Sequence, residues 1–301
     1  MLFSHKRPLL FGEVLFDIFP DGVEVIGGAP FNVAWHLQGF GCRPLIVSRV
    51  GDDARGHKVI AQMQKWGMDL TGMQIDKSHP TGTVKVTLDR GQPNFSIEPD
   101  QAYDFIEWPA IAAGLKDLSV ALLYHGTLVG RSPVSEKTLW RLRQENMPPA
   151  FVDLNLRQPW WNAGRVEKYL RQTRWAKLNE DELRQLWPAI EGEIETAQEF
   201  CVAKRLEYLV VTKGSEGAFI YTYAGQLLRE QPLKAVPLID TVGAGDAFSS
   251  VMIMGLLYDW ALEVTLRRAV HFASEICGIQ GAISADTELY KIYRNEWELA
   301  E

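Results

Sequence analysis

The sequence predicts an α/β fold: a doubly wound, mostly parallel sheet with helices on both faces, plus a small antiparallel β flap. Two observations carry this expectation. Short β-rich apolar runs ending in polar or glycine residues recur along the chain, each followed by a segment with helical spacing. Strands alternating with helices form βαβ units and a parallel sheet covered on both sides. Two stretches break that rhythm, with β-rich runs flanking turn residues, and these read as antiparallel hairpins.

Taken in order, Glu13 to Ile26 carries Pro20-Asp21-Gly22 between two β-rich runs and is the first hairpin. Leu45–Val50 is a buried parallel strand. Thr83 to Leu88 alternates polar and apolar residues, reaches a turn at Asp89-Arg90-Gly91 and resumes at Asn94 to Ile97, forming the second hairpin. Val120–His125, Ala150–Asn155, Trp175–Asn179 and Tyr208–Gly214 are further parallel strands. The hairpins can build a separate flap or an antiparallel edge on the main sheet, and both arrangements stay open at this point. The flap is assigned to about 13–27 and 80–98. With no repeat, low-complexity tract or linker, residues 1–301 are expected to form one domain. Ligands of parallel sheets bind beyond the carboxyl ends of the strands. Asp153 with Asn155, Lys177 with Asn179, and Thr212 with Lys213 should therefore gather along one edge.

Composition narrows the partners. Net charge is −7 and no block of five or more Lys or Arg occurs, which argues against nucleic acid and against a membrane surface. No apolar run is long enough to span a bilayer. Cys42, Cys201 and Cys277 are widely separated and form no metal or disulfide pattern, as expected of a cytoplasmic chain. An acidic protein that binds an anion must concentrate positive potential locally, at helix N-termini and a few placed cations.

Asp240-Thr241-Val242-Gly243-Ala244-Gly245-Asp246, leading into an apolar-periodic helix, has the composition of such an anion hole. Two glycines at a helix start let backbone N–H groups converge, and the helix dipole favours negative charge there. A carboxylate in that first turn is placed either to deprotonate a hydroxyl and direct it at a phosphoryl group or merely to complement the helix dipole. Near the other end, Gly27-Gly28-Ala29-Pro30-Phe31-Asn32-Val33-Ala34 opens a second helix with paired glycines and an Asn.

Together these two segments resemble the signatures of the ribokinase-like, or phosphofructokinase-B, sugar kinases, and the match in order and spacing extends over essentially the whole chain. The resemblance implies an ATP-dependent carbohydrate kinase with a β lid over the sugar. It makes Asp246 the catalytic base, with Gly243, Ala244 and Gly245 forming the anion hole. Asp17, Gly28 and Asn32 match the family's sugar-binding positions, and Arg157 in Asp153-Leu154-Asn155-Leu156-Arg157 is a candidate for a sugar or phosphate oxygen. Thr212-Lys213-Gly214-Ser215-Glu216-Gly217 resembles the nucleotide loop, assigning Thr212, Lys213, Gly214 and Gly217 to ATP.

Asn179 and Glu182 resemble the pair that organises Mg²⁺ through water, although the same spacing also makes a capping box. Lys177 is equally readable as a phosphate contact or a surface lysine. A monovalent-cation position found in many members maps onto Asp240 and the carbonyl of Val242, implying K⁺. The segment from Phe272 to Gly278 is shorter than the family's adenine-contacting helix. Pro159-Trp160-Trp161 and Ala102-Tyr103-Asp104 look most like fructokinases. Ribose, 2-keto-3-deoxygluconate and nucleosides are the alternative substrates, and a non-catalytic sugar- or nucleotide-binding module is the alternative class. Exposed hairpin edges suggest a homodimer through the lid.

Overall fold

The computed structural model describes residues 6–89, 92–116, 118–145, 148–188, 192–232 and 238–299. In chain order the strands are β1 (Arg7–Phe11), β2 (Leu15–Ile18), β3 (Glu24–Gly27), β4 (Leu45–Gly51), β5 (Met73–Asp76), β6 (Gly82–Asp89) and β7 (Gln92–Ile97). They continue as β8 (Val120–His125), β9 (Ala150–Asp153), β10 (Thr173–Asn179), β11 (Tyr208–Thr212), β12 (Ala218–Thr222) and β13 (Leu227–Glu230). The helices are α1 (Ala29–Gly39), α2 (Ala54–Lys65), α3 (Trp108–Leu115), α4 (Pro133–Glu145) and α5 (Ala163–Leu170). Then follow α6 (Glu180–Leu186), α7 (Glu193–Ala203), α8 (Ala244–Tyr258), α9 (Leu262–Ile276) and α10 (Thr287–Glu296).

Nine strands form the main sheet in the order β13-β12-β11-β10-β9-β8-β1-β4-β5. Every pairing from β11 to β5 is parallel, whereas β12 and β13 are antiparallel. The two expected hairpins form a separate sheet, β3-β2-β6-β7, in which β2 and β6 run parallel where the hairpins meet. Of the two arrangements left open by the sequence, the separate flap is the one adopted. An antiparallel edge exists too, but the unanticipated hairpin over 218–230 supplies it. In the expected turn of the second hairpin, Arg90 and Gly91 lie outside the described residues.

Two strands end earlier than their apolar runs suggest. After Asp153, Asn155 takes φ 39°, a left-handed conformation that Asn tolerates better than most residues. Past Thr212 the chain turns through Gly214 at φ 53°. The strands between are buried on both faces, which is why they read as continuous apolar runs. On one face α1, α8 and α9 pack through Trp35, Phe248, Met252 and Phe272. The other face is covered by Leu170, Leu183 and Phe200 and, further along the sheet, by Ile111 and Leu139. Residues Phe272 to Ile276 form the end of α9, which runs fifteen residues from Leu262. Among the described residues no helix is long and apolar enough to cross a membrane.

Candidate active site

Glycine chemistry sets the start of α8. Gly243 caps the helix at φ 80°, and a Cβ there would lie 2.4 Å from the Ala282 Cα. A side chain is excluded both by conformation and by the neighbouring backbone. The N–H groups of Ala244 and Asp246 turn back onto Thr241 and Gly243 at 3.3 and 3.0 Å. Those of Gly243 and Gly245 have no partner among the described residues, so two of the three residues expected to form the anion hole keep open amides.

Asp246 stands in that first turn, half-buried and crowded by protein atoms. Its Oδ2 accepts a hydrogen bond from Asn32 Nδ2 at 2.8 Å, bridging the two glycine signatures 214 residues apart. Burial pushes its pKa from an ordinary 3.8 up to about 7. The Asn32 bond opposes that rise, the Asp153 charge adds to it, and Lys177 and Arg157 restrain it. A carboxyl poised near neutrality is the form a general base needs.

Lys177 is neither a surface lysine nor free. Parallel register sets it opposite Asp153, and its buried Nζ pairs with Asp153 Oδ2 at 2.7 Å. The same oxygen accepts from Ser249 Oγ at 2.9 Å and Tyr124 OH at 3.1 Å. A Cβ on Gly245 would lie 3.5 Å from Nζ, which puts the ammonium beside the open amides. Breaking one half of a buried pair strands the other charge, so Lys177→Met is expected to lose about 3–5 kcal/mol in urea unfolding. The Lys177→Met/Asp153→Leu double variant should recover much of that loss; no recovery would show that the pair is not the source.

Asp17 lies on β2 against β3, where burial raises its pKa to about 6 and Arg157 opposes the rise. Gly28 takes φ 104°, and a Cβ there would sit 2.5 Å from the Glu13 carbonyl oxygen, so α1 begins hard against the chain before β2. Exposed Arg157 influences Asp17, Asp246 and Glu13 together. Glu13 escaped the sequence reading, where it only marks the start of the first hairpin. Its buried carboxyl is pushed up to about 7 by desolvation, and Asp246 adds to the rise.

The residues expected to meet the nucleotide come together less completely. Asn179 and Glu182 form the capping box in full: Asn179 Oδ1 accepts from the Glu182 N–H at 2.9 Å and Glu182 Oε2 from the Asn179 N–H at 2.9 Å. Glu182 Oε1 also takes the Leu156 N–H at 2.6 Å, and burial raises the carboxyl above its usual range. Thr212 is in register beside Asn179 on β11. Lys213 pairs with Glu193 and Glu216 at 2.9 and 3.0 Å rather than standing free. Gly217 is required by packing: at φ 89°, its Cβ would meet the Glu230 carbonyl oxygen at 2.1 Å, whereas Gly214 has open space around it. Asp240 ties the anion loop down, accepting from the N–H groups of Val242 and Gly281 at 3.0 Å each.

The profile of the pfkB family carbohydrate kinases matches residues 13–288. Fructokinase from Escherichia coli is 28% identical over 267 residues, covering 81% of this chain and 82% of that one. In structure, the ATP-bound fructokinase from Xylella fastidiosa superposes with a TM-score of 0.83 at 21% identity, covering 97% and 99% of the two chains. A double mutant of the Vibrio cholerae O395 fructokinase, bound to fructose, ADP and potassium ion, reaches 0.79 at 26% identity over 96% and 98%. The chain belongs to the pfkB family of carbohydrate kinases. Its activity is ATP-dependent phosphorylation of a sugar.

Proposed function

We propose that the sugar is fructose, phosphorylated on a primary hydroxyl, with Asp246 as the base. The observation that carries the reading is the Asp246 carboxyl, held by Asn32 at the start of α8 with its pKa near neutrality and two open amides beside it. Asp246 takes the proton from the attacking hydroxyl. The amides of Gly243 and Gly245, with Lys177 behind them, stabilise charge on the transferring phosphoryl group. Asp17, Asn32 and Arg157 hold the sugar at the mouth of α1, with the β3-β2-β6-β7 sheet as its lid. Thr212 and the Gly214 turn border the nucleotide. Fructose is favoured by the E. coli relative and by the V. cholerae structure, which holds that sugar.

The donor set fits Mg²⁺ held through water. Both Glu182 oxygens and Asn179 Oδ1 already accept backbone N–H groups, leaving second lone pairs for water but no free direct ligand. When bound, the ion neutralises phosphate charge. K⁺ fits the remaining lone pairs of Asp240 with the Val242 carbonyl. The enzyme is assigned to the cytoplasm on its three unpaired cysteines, and to a homodimer through the small sheet, whose outer strands β3 and β7 have open edges.

A coupled ADP-release assay across fructose, ribose, 2-keto-3-deoxygluconate and adenosine tests the proposal. Fructose should give the highest kcat/KM. A higher value for another acceptor would replace it, and a flat response to every sugar would leave only the binding-module reading.

A further inference from the structure

The acceptor side holds a carboxylate that the reaction scheme leaves unused. Glu13 lies between β1 and β2, only 5% exposed. It packs against the start of α1, where Gly28 offers no side-chain cap, and a Cβ on Gly28 would sit 3.3 Å from Glu13 Cγ. The Ala29 N–H at the head of that helix approaches the carboxylate and favours its ionised form. Glu13 Oε2 is nevertheless buried without a hydrogen-bond partner.

It has company. Asn32 Oδ1, Tyr103 OH and Arg131 Nη1 are also buried and unpartnered. Asn32 is bonded to Asp246, whose charge reaches Glu13, and the Glu13 charge in turn reaches Tyr103 and Arg131. The Arg131 guanidinium is stacked over the rings of Tyr103 and Trp160, 4.8 Å from each centroid. Asp104 holds its Nε and Nη2 at 2.7 and 2.6 Å. The guanidinium lies close enough to the Tyr103 hydroxyl to favour its ionised form, yet neither Tyr103 OH nor Arg131 Nη1 makes a hydrogen bond of normal geometry. Nearby, Gly82 admits the Tyr103 ring beneath the small sheet, where a Cβ would come within 2.6 Å.

Buried polar groups left without partners are costly, so a cluster of them calls for a ligand that satisfies them together. Two acceptors, one donor and one hydroxyl able to do both complement the hydroxyls of a polyol. We propose that Glu13 is a ligand of the acceptor sugar: its Oε2 receives a hydroxyl other than the one phosphorylated, and Asn32, Tyr103 and Arg131 line the same polar cradle. This rests on reading the surroundings of Asp246 as the sugar site. It gives the site a second carboxylate for discriminating among sugars, because an analogue lacking the bonded hydroxyl leaves a buried charge unpaired.

The test compares wild type, Glu13→Gln and Tyr103→Phe on the sugar that wild type turns over fastest and on its monodeoxy analogues. Thermal unfolding serves as the check on folding. In Glu13→Gln the sugar KM should rise on the order of 10- to 100-fold, while the ATP KM stays within about twofold. One deoxy analogue, poor for wild type, should be no worse than the parent sugar for the variant. Tyr103→Phe deletes only an unpartnered hydroxyl and should raise the sugar KM without loss of stability, so the cradle is testable even if Glu13→Gln folds poorly. Additive penalties for every analogue, equal changes in the two KM values, or an unchanged sugar KM in Tyr103→Phe would overturn the inference and leave the kinase activity standing. No turnover of any sugar by wild type would instead defeat the activity, and this inference with it.

Discussion

Asp246→Asn will fold, bind ATP and lose about 10²–10⁴ in kcat. Asn keeps the shape and can still meet the Asn32 amide, but it cannot accept the proton of an attacking hydroxyl. The variant should also be at least as stable as wild type above pH 7. A carboxyl whose pKa rises from 3.8 to about 7 on folding binds its proton more tightly in the native state. It therefore destabilises the fold progressively as pH climbs from about 4 to about 7, and the amide removes that penalty. In wild type, kcat/KM for the sugar should fall about tenfold per unit below about pH 7 as the base protonates. Glu13 titrates in the same range and interacts with Asp246, so the midpoint belongs to the pair. Turnover within tenfold of wild type in Asp246→Asn, or a flat acid limb in wild type, would remove Asp246 from the role of base.

Gly243→Ala and Gly245→Ala should separate shape from chemistry. The first forces a left-handed φ on alanine, a cost of about 1–2 kcal/mol, and drives a methyl into the Ala282 backbone. The head of α8 must then move, and a shift of about 1 Å at a reacting centre is enough for a 10²-fold loss of kcat. Lower thermal stability and lower kcat are expected together. At Gly245 a Cβ meets only the Lys177 ammonium at 3.5 Å, an ordinary contact. Gly245→Ala should leave the unfolding temperature unchanged and reduce turnover alone, because the methyl intrudes beside an open amide. If the two variants lost stability equally, the amides of this turn would have no demonstrated part in catalysis.

How much of this was readable beforehand follows from where the information lies. The glycine signatures could be found because a helix start needs specific residues at consecutive positions, and the chain writes those locally. The two flap hairpins were legible from turn residues for the same reason. The 218–230 hairpin was missed because each strand is only four or five residues long, too short for alternation to stand out. Lys177 was undecided in sequence because its meaning depends on parallel register, which places it opposite Asp153 across strands separated by a helix. Glu13 and Arg131 carry no motif, and Ala102-Tyr103-Asp104 carries only a resemblance: burial and missing partners reveal the cluster, and neither exists before the chain is folded. The Asn179–Glu182 spacing allowed a cap or an ion-organising pair, and the hydrogen bonds show the cap to be complete.

One residue, Gly28, separates the end of β3 from the first turn of α1. A connection that short has no slack, so a tilt of the small sheet is delivered to the helix as through a rigid lever. Four residues past Gly28, the lever's tip is Asn32, with its grip on Asp246. On the function proposed above, covering the sugar and aiming the base are geared to a single stroke, and longer chain spliced in at Gly28 would let one happen without the other.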